Sequence, residues 1–177
     1  INNDHTTEVL SPRLIDRAWI ITLPKPTDIQ FGRDIDVSDT KCLSWNELKK
    51  VFNAHEKTVR MSEEAETIFK LIKNTLNEGR SSLSPRSELA IRKYWGTAST
   101  LMKSDDEDDI DASVIALDYA VLQKILPKIQ GNGEAYEKWL NRLRDICAEY
   151  NLLKSQECLE NIIALGNEKM KYYQFFY

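Results

Sequence analysis

Two short stretches of this chain place arginine where it could do chemistry. "NNDHTTEVLSPRLIDRA" (2–18) gathers Asn2, Asn3, Asp4, Thr6, Thr7, Arg13, Asp16 and Arg17 around a helix start. "LSPRSELAIRKYW" (83–95) puts Arg86 directly after Pro85, with Arg92 further along the same helix. A guanidinium is planar, forked and always charged, so it matches phosphate or carboxylate oxygens better than a lysine does. A cation in a first helical turn is unfavourable for the helix, and that turn attracts anions, so Arg86 invites a reason outside its own helix. The plain alternatives are Arg17 paired with Asp16 or Glu8, Arg86 facing solvent beside Glu88, and asparagines serving as turn formers.

Other chemistry has less to build on. "DDEDD" (105–109) lacks the spaced ligands and turn glycine of a cation loop, and reads as a solvated stretch favouring the next helix N-terminus. Cys42, Cys147 and Cys158 are widely spaced, and His5 and His55 are the only histidines, which argues against zinc and for reduced thiols. Cys147 and Cys158 fall on apolar stripes and read as core residues. The tail "YYQFFY" (172–177) could stack bases, but only Lys169 and Lys171 interleave with it, so it reads as core or as a subunit-docking segment.

The elements that must position these residues are mostly helical. Ser11 and Pro12 open a short helix to about Ala18. "WIITL" (19–23) reads as a buried strand ended by Pro24 and Pro26. Residues 24–43 form an irregular connector. "SWNE" (44–47) is a capping box ahead of a helix with Leu48, Val51 and Phe52 on one side. Ser62 caps a helix striped by Ala65, Ile68, Phe69, Ile72 and Leu76 and stopped at Gly79. Ser84 and Pro85 open another, with Ile91, Tyr94, Trp95, Ala98 and Met102. Val114, Leu117, Val121 and Ile125 mark a helix that Pro127, Gly131 and Gly133 end. Tyr136, Leu140, Leu143, Cys147 and Tyr150 mark the next. A last helix from about Ser155 carries Leu159, Ile162, Ile163 and Met170. A lone strand needs sheet neighbours, and these would precede Ile1. The expectation is therefore the end of an α/β domain followed by an all-helical one.

Two blocks of the chain, about 2–23 and 83–131, resemble the second half of a AAA+ ATPase core and its helical lid, of the McrB-like and MoxR-like group. There the pattern runs N-x-D-x-T-T, then S-P-x-x-x-D-R-A. Asn2, Asp4, Thr6 and Thr7 fit the first part, and Ser11, Pro12, Asp16 and Arg17 the second. Asp118, Leu122, Gln123, Lys124, Ile125, Leu126, Pro127, Lys128, Ile129 and Gly131 follow the family's late lid run D-x-x-x-L-Q-K-I-L-P-K-I-x-G, which implies packing rather than catalysis. The resemblance implies that Asn2 (or Asn3) is the sensor-1 residue orienting the attacking water. It makes Arg17 (or Arg13) the arginine finger for the neighbouring subunit's γ-phosphate, and Arg86 (or Arg92) the sensor-2 contact to nucleotide. It implies residues 1–39 as the end of the core and 40–177 as the lid. It further implies a homo-oligomeric ring, a hexamer by family pattern, with ATP and magnesium in the full-length parent, a nuclease partner in restriction or phage defence, and DNA met only indirectly.

No phosphate loop and no magnesium-holding strand end occur in the sequence, so these residues alone are expected not to hydrolyse ATP. The net charge of -4 and pI of 5.3 argue against a broad nucleic-acid surface. No apolar run would cross a bilayer, and the expected location is cytoplasmic. The rival expectation is a non-enzymatic helical adaptor that binds proteins through apolar and aromatic faces.

Overall fold

The computed structural model describes residues 10–23, 44–47, 60–79, 81–102 and 111–176. Asn2, Asn3, Asp4, Thr6, Thr7, the 24–43 connector, the stripe at 48–52 and the "DDEDD" run lie outside them. The described part is mainly helical. It comprises α1 (Pro12–Arg17), α2 (Glu63–Glu78), α3 (Pro85–Leu101), α4 (Ala112–Lys124), a 3-10 turn (Leu126–Lys128), β1 (Gln130–Asn132), α5 (Glu134–Glu149), α6 (Leu153–Glu168) and β2 (Tyr172–Gln174).

The helix starts follow from capping chemistry. Ser11, Ser62 and Ser84 each accept a hydrogen bond from an amide three residues on, which satisfies one orphan donor per helix. Pro12 and Pro85 occupy the first turn, where a missing N–H costs nothing. The capping box is present: the Ser44 amide donates to Glu47 at 2.8 Å, and the Glu47 amide to Ser44 Oγ at 3.3 Å.

The helix α4 is the centre of the body. Val114, Ala116, Leu117, Ala120 and Val121 bury it on several sides, and it packs against α2, α3 and α6. The α2 stripe Ala65, Ile68, Phe69, Ile72 and Leu76 is buried as its spacing predicts, as are Ile91 and Trp95 of α3. The α5–α6 hairpin closes the other side with Leu140, Leu143, Cys147, Leu159 and Ile162.

A buried carboxylate joins α4 to α6. Leu152, at the N-cap position of α6, has no polar side chain. Asp118 does the capping from α4 instead, accepting the Lys154 and Ser155 amides at 2.8 Å each. The Ser155 hydroxyl returns a bond to the Asp118 carbonyl at 3.1 Å. Burial pushes the Asp118 carboxyl above its ordinary range, against the pull of these donors.

Three aromatic rings lie on glycines. A Cβ on Gly79 would sit 2.2 Å from Trp139, one on Gly131 2.5 Å from Tyr136, and one on Gly166 2.1 Å from Tyr173. Gly79 ends α2 with an ordinary negative φ, so it is there for room under the indole rather than for a left-handed turn. Trp139 also donates to the Thr75 carbonyl at 2.6 Å.

Two expectations change, and the aromatic tail takes the core place read for it. Residues 19–23 form no strand. Among the described residues their one backbone bond to another element runs from the Ile20 amide to the Gln123 carbonyl, and Ile21 and Leu23 are 67% and 80% exposed. With no neighbour among the described residues to complete a ladder, the segment leaves those side chains exposed. Met170 lies beyond the last helix, 98% exposed, in a turn where it and Lys171 take positive φ. The aromatic tail builds strand β2, which pairs antiparallel with β1 in the register Gly131↔Tyr173 and seats Tyr173 fully in the core. Three-residue strands leave no readable alternation, so the sequence pattern could not announce this sheet.

Candidate functional site

Arg17 and Arg86 flank the residues of one junction, where α1 docks on the body. Asp16 is the pivot. Its carboxylate accepts Lys128 Nζ at 2.6 Å, Ser87 Oγ at 2.8 Å and Ser84 Oγ at 3.0 Å. All three donors come from the start of α3 or the 3-10 turn. Chiefly the Lys128 hydrogen bond, helped by the two serines, holds the Asp16 carboxyl down at about 2 against the opposing effect of burial.

Lys124 completes the junction. It is only 2% exposed, yet its ammonium meets no carboxylate among the described residues at bonding distance. It donates instead to the Asp16 carbonyl at 2.9 Å and the Ala18 carbonyl at 2.8 Å. It also lies 5.5 Å from the centre of the Trp19 ring, which packs tilted by 31° against Tyr94 with ring centres 4.7 Å apart. Burial first, then the Lys128 charge, press the Lys124 ammonium below its ordinary value.

The spacing of Lys124 and Lys128, four residues apart, puts both at this junction. Ser87 beside Lys128 and Asp16 has the makings of an activated nucleophile. It is fully buried and its hydroxyl is already donated to Asp16, so no substrate can reach it. The cluster fastens α1 to the body.

Around this fastening the candidate cations divide into two groups. Arg17, next in sequence to Asp16, is exposed and pairs with no described residue; Asp16 takes Lys128 in its place. Arg13 is exposed on the same short helix. Arg86 lies between the two serines that grip Asp16, exposed in the first turn of α3, and it does not pair with Glu88. Glu88 is taken by Lys73 at 2.6 Å and by Arg92 at 3.3 Å. Arg92 is committed elsewhere: it grips Glu66 through both guanidinium nitrogens at 2.5 and 2.9 Å and lies 5.3 Å from the Phe69 ring centre. It joins α3 to α2 and is not available as a nucleotide contact. Asn2 lies outside the described residues.

Sequence reasoning named Asp16, Lys124 and Lys128 as parts of patterns but missed what they do. Residues 16 and 128 are 112 positions apart, and no local spacing couples them. No cluster of His, Cys, Asp or Glu able to hold a metal occurs among the described residues. A hollow of about 390 Å³, lined by Glu63, Glu64, Thr67, Ile68 and Tyr150, lies elsewhere, and its acidic rim suits no anion. No helix among the described residues is long and apolar enough to cross a membrane.

Fold and junction together define a mainly helical body with a short N-terminal helix fastened to it. The chain belongs to the family described as Domain of unknown function (DUF8727), whose model matches residues 36–172. The match takes in α2 to the start of β2 and leaves α1 outside. No curated protein and no solved structure matches the chain.

Proposed function

We propose that this chain is the C-terminal part of a ring-forming McrB-like AAA+ ATPase, comprising the finger helix and the lid, cytoplasmic and serving DNA restriction or phage defence with a nuclease partner. One observation carries the reading. The S-P-x-x-x-D-R-A helix is fastened through Asp16 to the serines bracketing Arg86, and the two arginines next to this fastening are exposed and pair with no acidic residue among the described ones. An exposed guanidinium at a fixed backbone position is free to form a forked, charge-assisted bond with phosphate oxygens, which Arg92, held by Glu66, is not.

In this reading Arg17 reaches the γ-phosphate of the neighbouring subunit and Arg86 the nucleotide of its own. The nucleotide with its magnesium supplies the reacting phosphoryl group. A fixed guanidinium neutralises charge that builds on the transferring oxygens, an effect worth roughly three to five orders of magnitude in rate. Asn2, as sensor-1, would orient the attacking water. No group of His, Cys, Asp or Glu able to hold a metal occurs among the described residues, and in this reading the magnesium ligands belong to another part of the parent protein.

The coding sequence upstream of Ile1 tests this first: a phosphate loop and an acidic magnesium-holding strand are expected there. A start codon at Ile1 without them would return the chain to the adaptor reading. In the full-length protein, Arg17→Ala should abolish hydrolysis while ATP binding persists, and Arg86→Ala should weaken ATP binding or its coupling. Wild-type turnover by Arg17→Ala rings would remove the finger assignment.

A further inference from the structure

Asp16, Arg17 and Ala18 are consecutive, and the helical body holds the outer two. The buried Lys124 ammonium bonds the carbonyls of both, so one cation straddles residue 17. The Asp16 carboxylate is fixed at the same time by Lys128, Ser87 and Ser84. The Ala18 amide closes α1 onto the Leu14 carbonyl at 2.8 Å. The backbone on each side of Arg17 is thus gripped while its guanidinium stands in solvent.

We infer that Lys124 and Lys128, acting through Asp16 and Ala18, are positioning residues that make the direction of the Arg17 guanidinium a property of the helical body. A shift of α3 and α4 against whatever α1 is joined to then carries Arg17 with it. The inference rests on the reading of Arg17 as the group that meets a neighbour's phosphate, and it adds how that contact is regulated. Two facts favour positioning over simple adhesion. Burying an ammonium against two carbonyls and an indole face, with no carboxylate at bonding distance, is a costly way to hold a six-residue helix, since apolar packing would serve without desolvating a charge. Two carbonyls fixed by one ammonium also set an orientation, which apolar contact does not.

The test uses the full-length protein with Lys128→Met, Lys128→Arg, Asp16→Asn and Arg17→Ala. Two readouts are taken: ATP hydrolysis, and hydrogen exchange at the amides of residues 14–20. Lys128 is preferred to Lys124 because it is less buried, so its removal spares the core. Lys128→Met and Asp16→Asn should speed exchange at the Ile15 and Ala18 amides about tenfold. Both should lower kcat about tenfold or more with KM unchanged, as expected for a misplaced transition-state contact. Lys128→Arg should restore both readouts. Faster exchange with unchanged kcat, where Arg17→Ala is slow, overturns the positioning role and leaves the finger reading standing. Unchanged exchange in both clamp variants refutes the grip itself. Normal turnover by Arg17→Ala ends the finger reading and the inference with it.

Discussion

Asp16 and Asp118 perform the same structural task with opposite proton preferences. Each accepts hydrogen bonds from a segment distant in sequence and ties it to the body. Asp118 is buried and faces backbone amides, and burial pushes its carboxyl up. Asp16 is half-buried beside a lysine ammonium, which pulls its carboxyl down to about 2. The first join belongs to the core. The second is a largely ionic fastening at an edge, where α1 meets the body. The molecule thus has a body fixed by burial and a helix held on by charge.

The sharpest way to break that contrast is to remove Asp118. Asp118→Ala leaves the Lys154 and Ser155 amides at the head of α6 without their acceptor, and should cost about 2–4 kcal/mol, read as a lower urea midpoint for the whole body. A loss below about 0.5 kcal/mol would mean that water or another group caps α6 and that the buried carboxylate is incidental.

Close fit gives the next effect. Gly166→Ala pushes a methyl into the fully buried Tyr173 ring, which cannot swing into solvent. Overpacking of this kind should lower stability by about 1–3 kcal/mol. Unaltered melting would show that β2 can lift off α6, and the C-terminal strand would then belong with the loosely held parts.

These two sites show which features the sequence exposed. Stripes, caps and the capping box were legible because each depends on residues three or four apart. Ser62, Ser84 and the Ala65–Leu76 stripe all stand where spacing placed them. The candidate arginines were legible by type and local setting. What joins them was not, because Asp16, Ser87 and Lys128 come together only in the folded chain. The expected strand at 19–23 forms no ladder for a related reason: β-branched residues need sheet neighbours, and the described part of the chain offers none there.

Acid should separate the two aspartates. For Asp16 the folded value of about 2 lies below the ordinary 3.8, so its contribution is complete above pH 3.8 and is lost as the pH falls toward 2. For Asp118 the folded value lies above the ordinary one, so its contribution is complete below pH 3.8 and declines as the pH rises through the folded value. Between pH 4 and 2, α1 should therefore loosen by about 1–2 kcal/mol while the cap of α6 holds. Hydrogen exchange along the chain checks this: residues 14–20 should speed up before residues 153–160. Asp16→Asn should erase the acid-induced step at α1. Simultaneous loosening of both segments would dissolve the distinction.

Arginine pairs offer the finest scale on which to test what burial does for charge. Arg92 and its partners Glu66 and Glu88 are about a quarter exposed, and the guanidinium is also packed near Phe69. Arg142 and Glu78 meet at 2.5 Å between α5 and α2, but both are more than half exposed, at 60% and 52%. In water-like surroundings the Coulomb gain of such a pair is small, and fixing two long side chains offsets most of it. Arg92→Ala should cost about 1–2 kcal/mol through lost packing and two stranded carboxylates. Arg142→Ala should change stability by less than about 0.5 kcal/mol, and 0.5 M salt should abolish even that. A salt-resistant loss at Arg142 as large as that at Arg92 would mean that ionic contacts hold α5 to α2 as firmly as the apolar stripe does. The division between a body fixed by burial and a helix fixed by charge would then fail within the body itself.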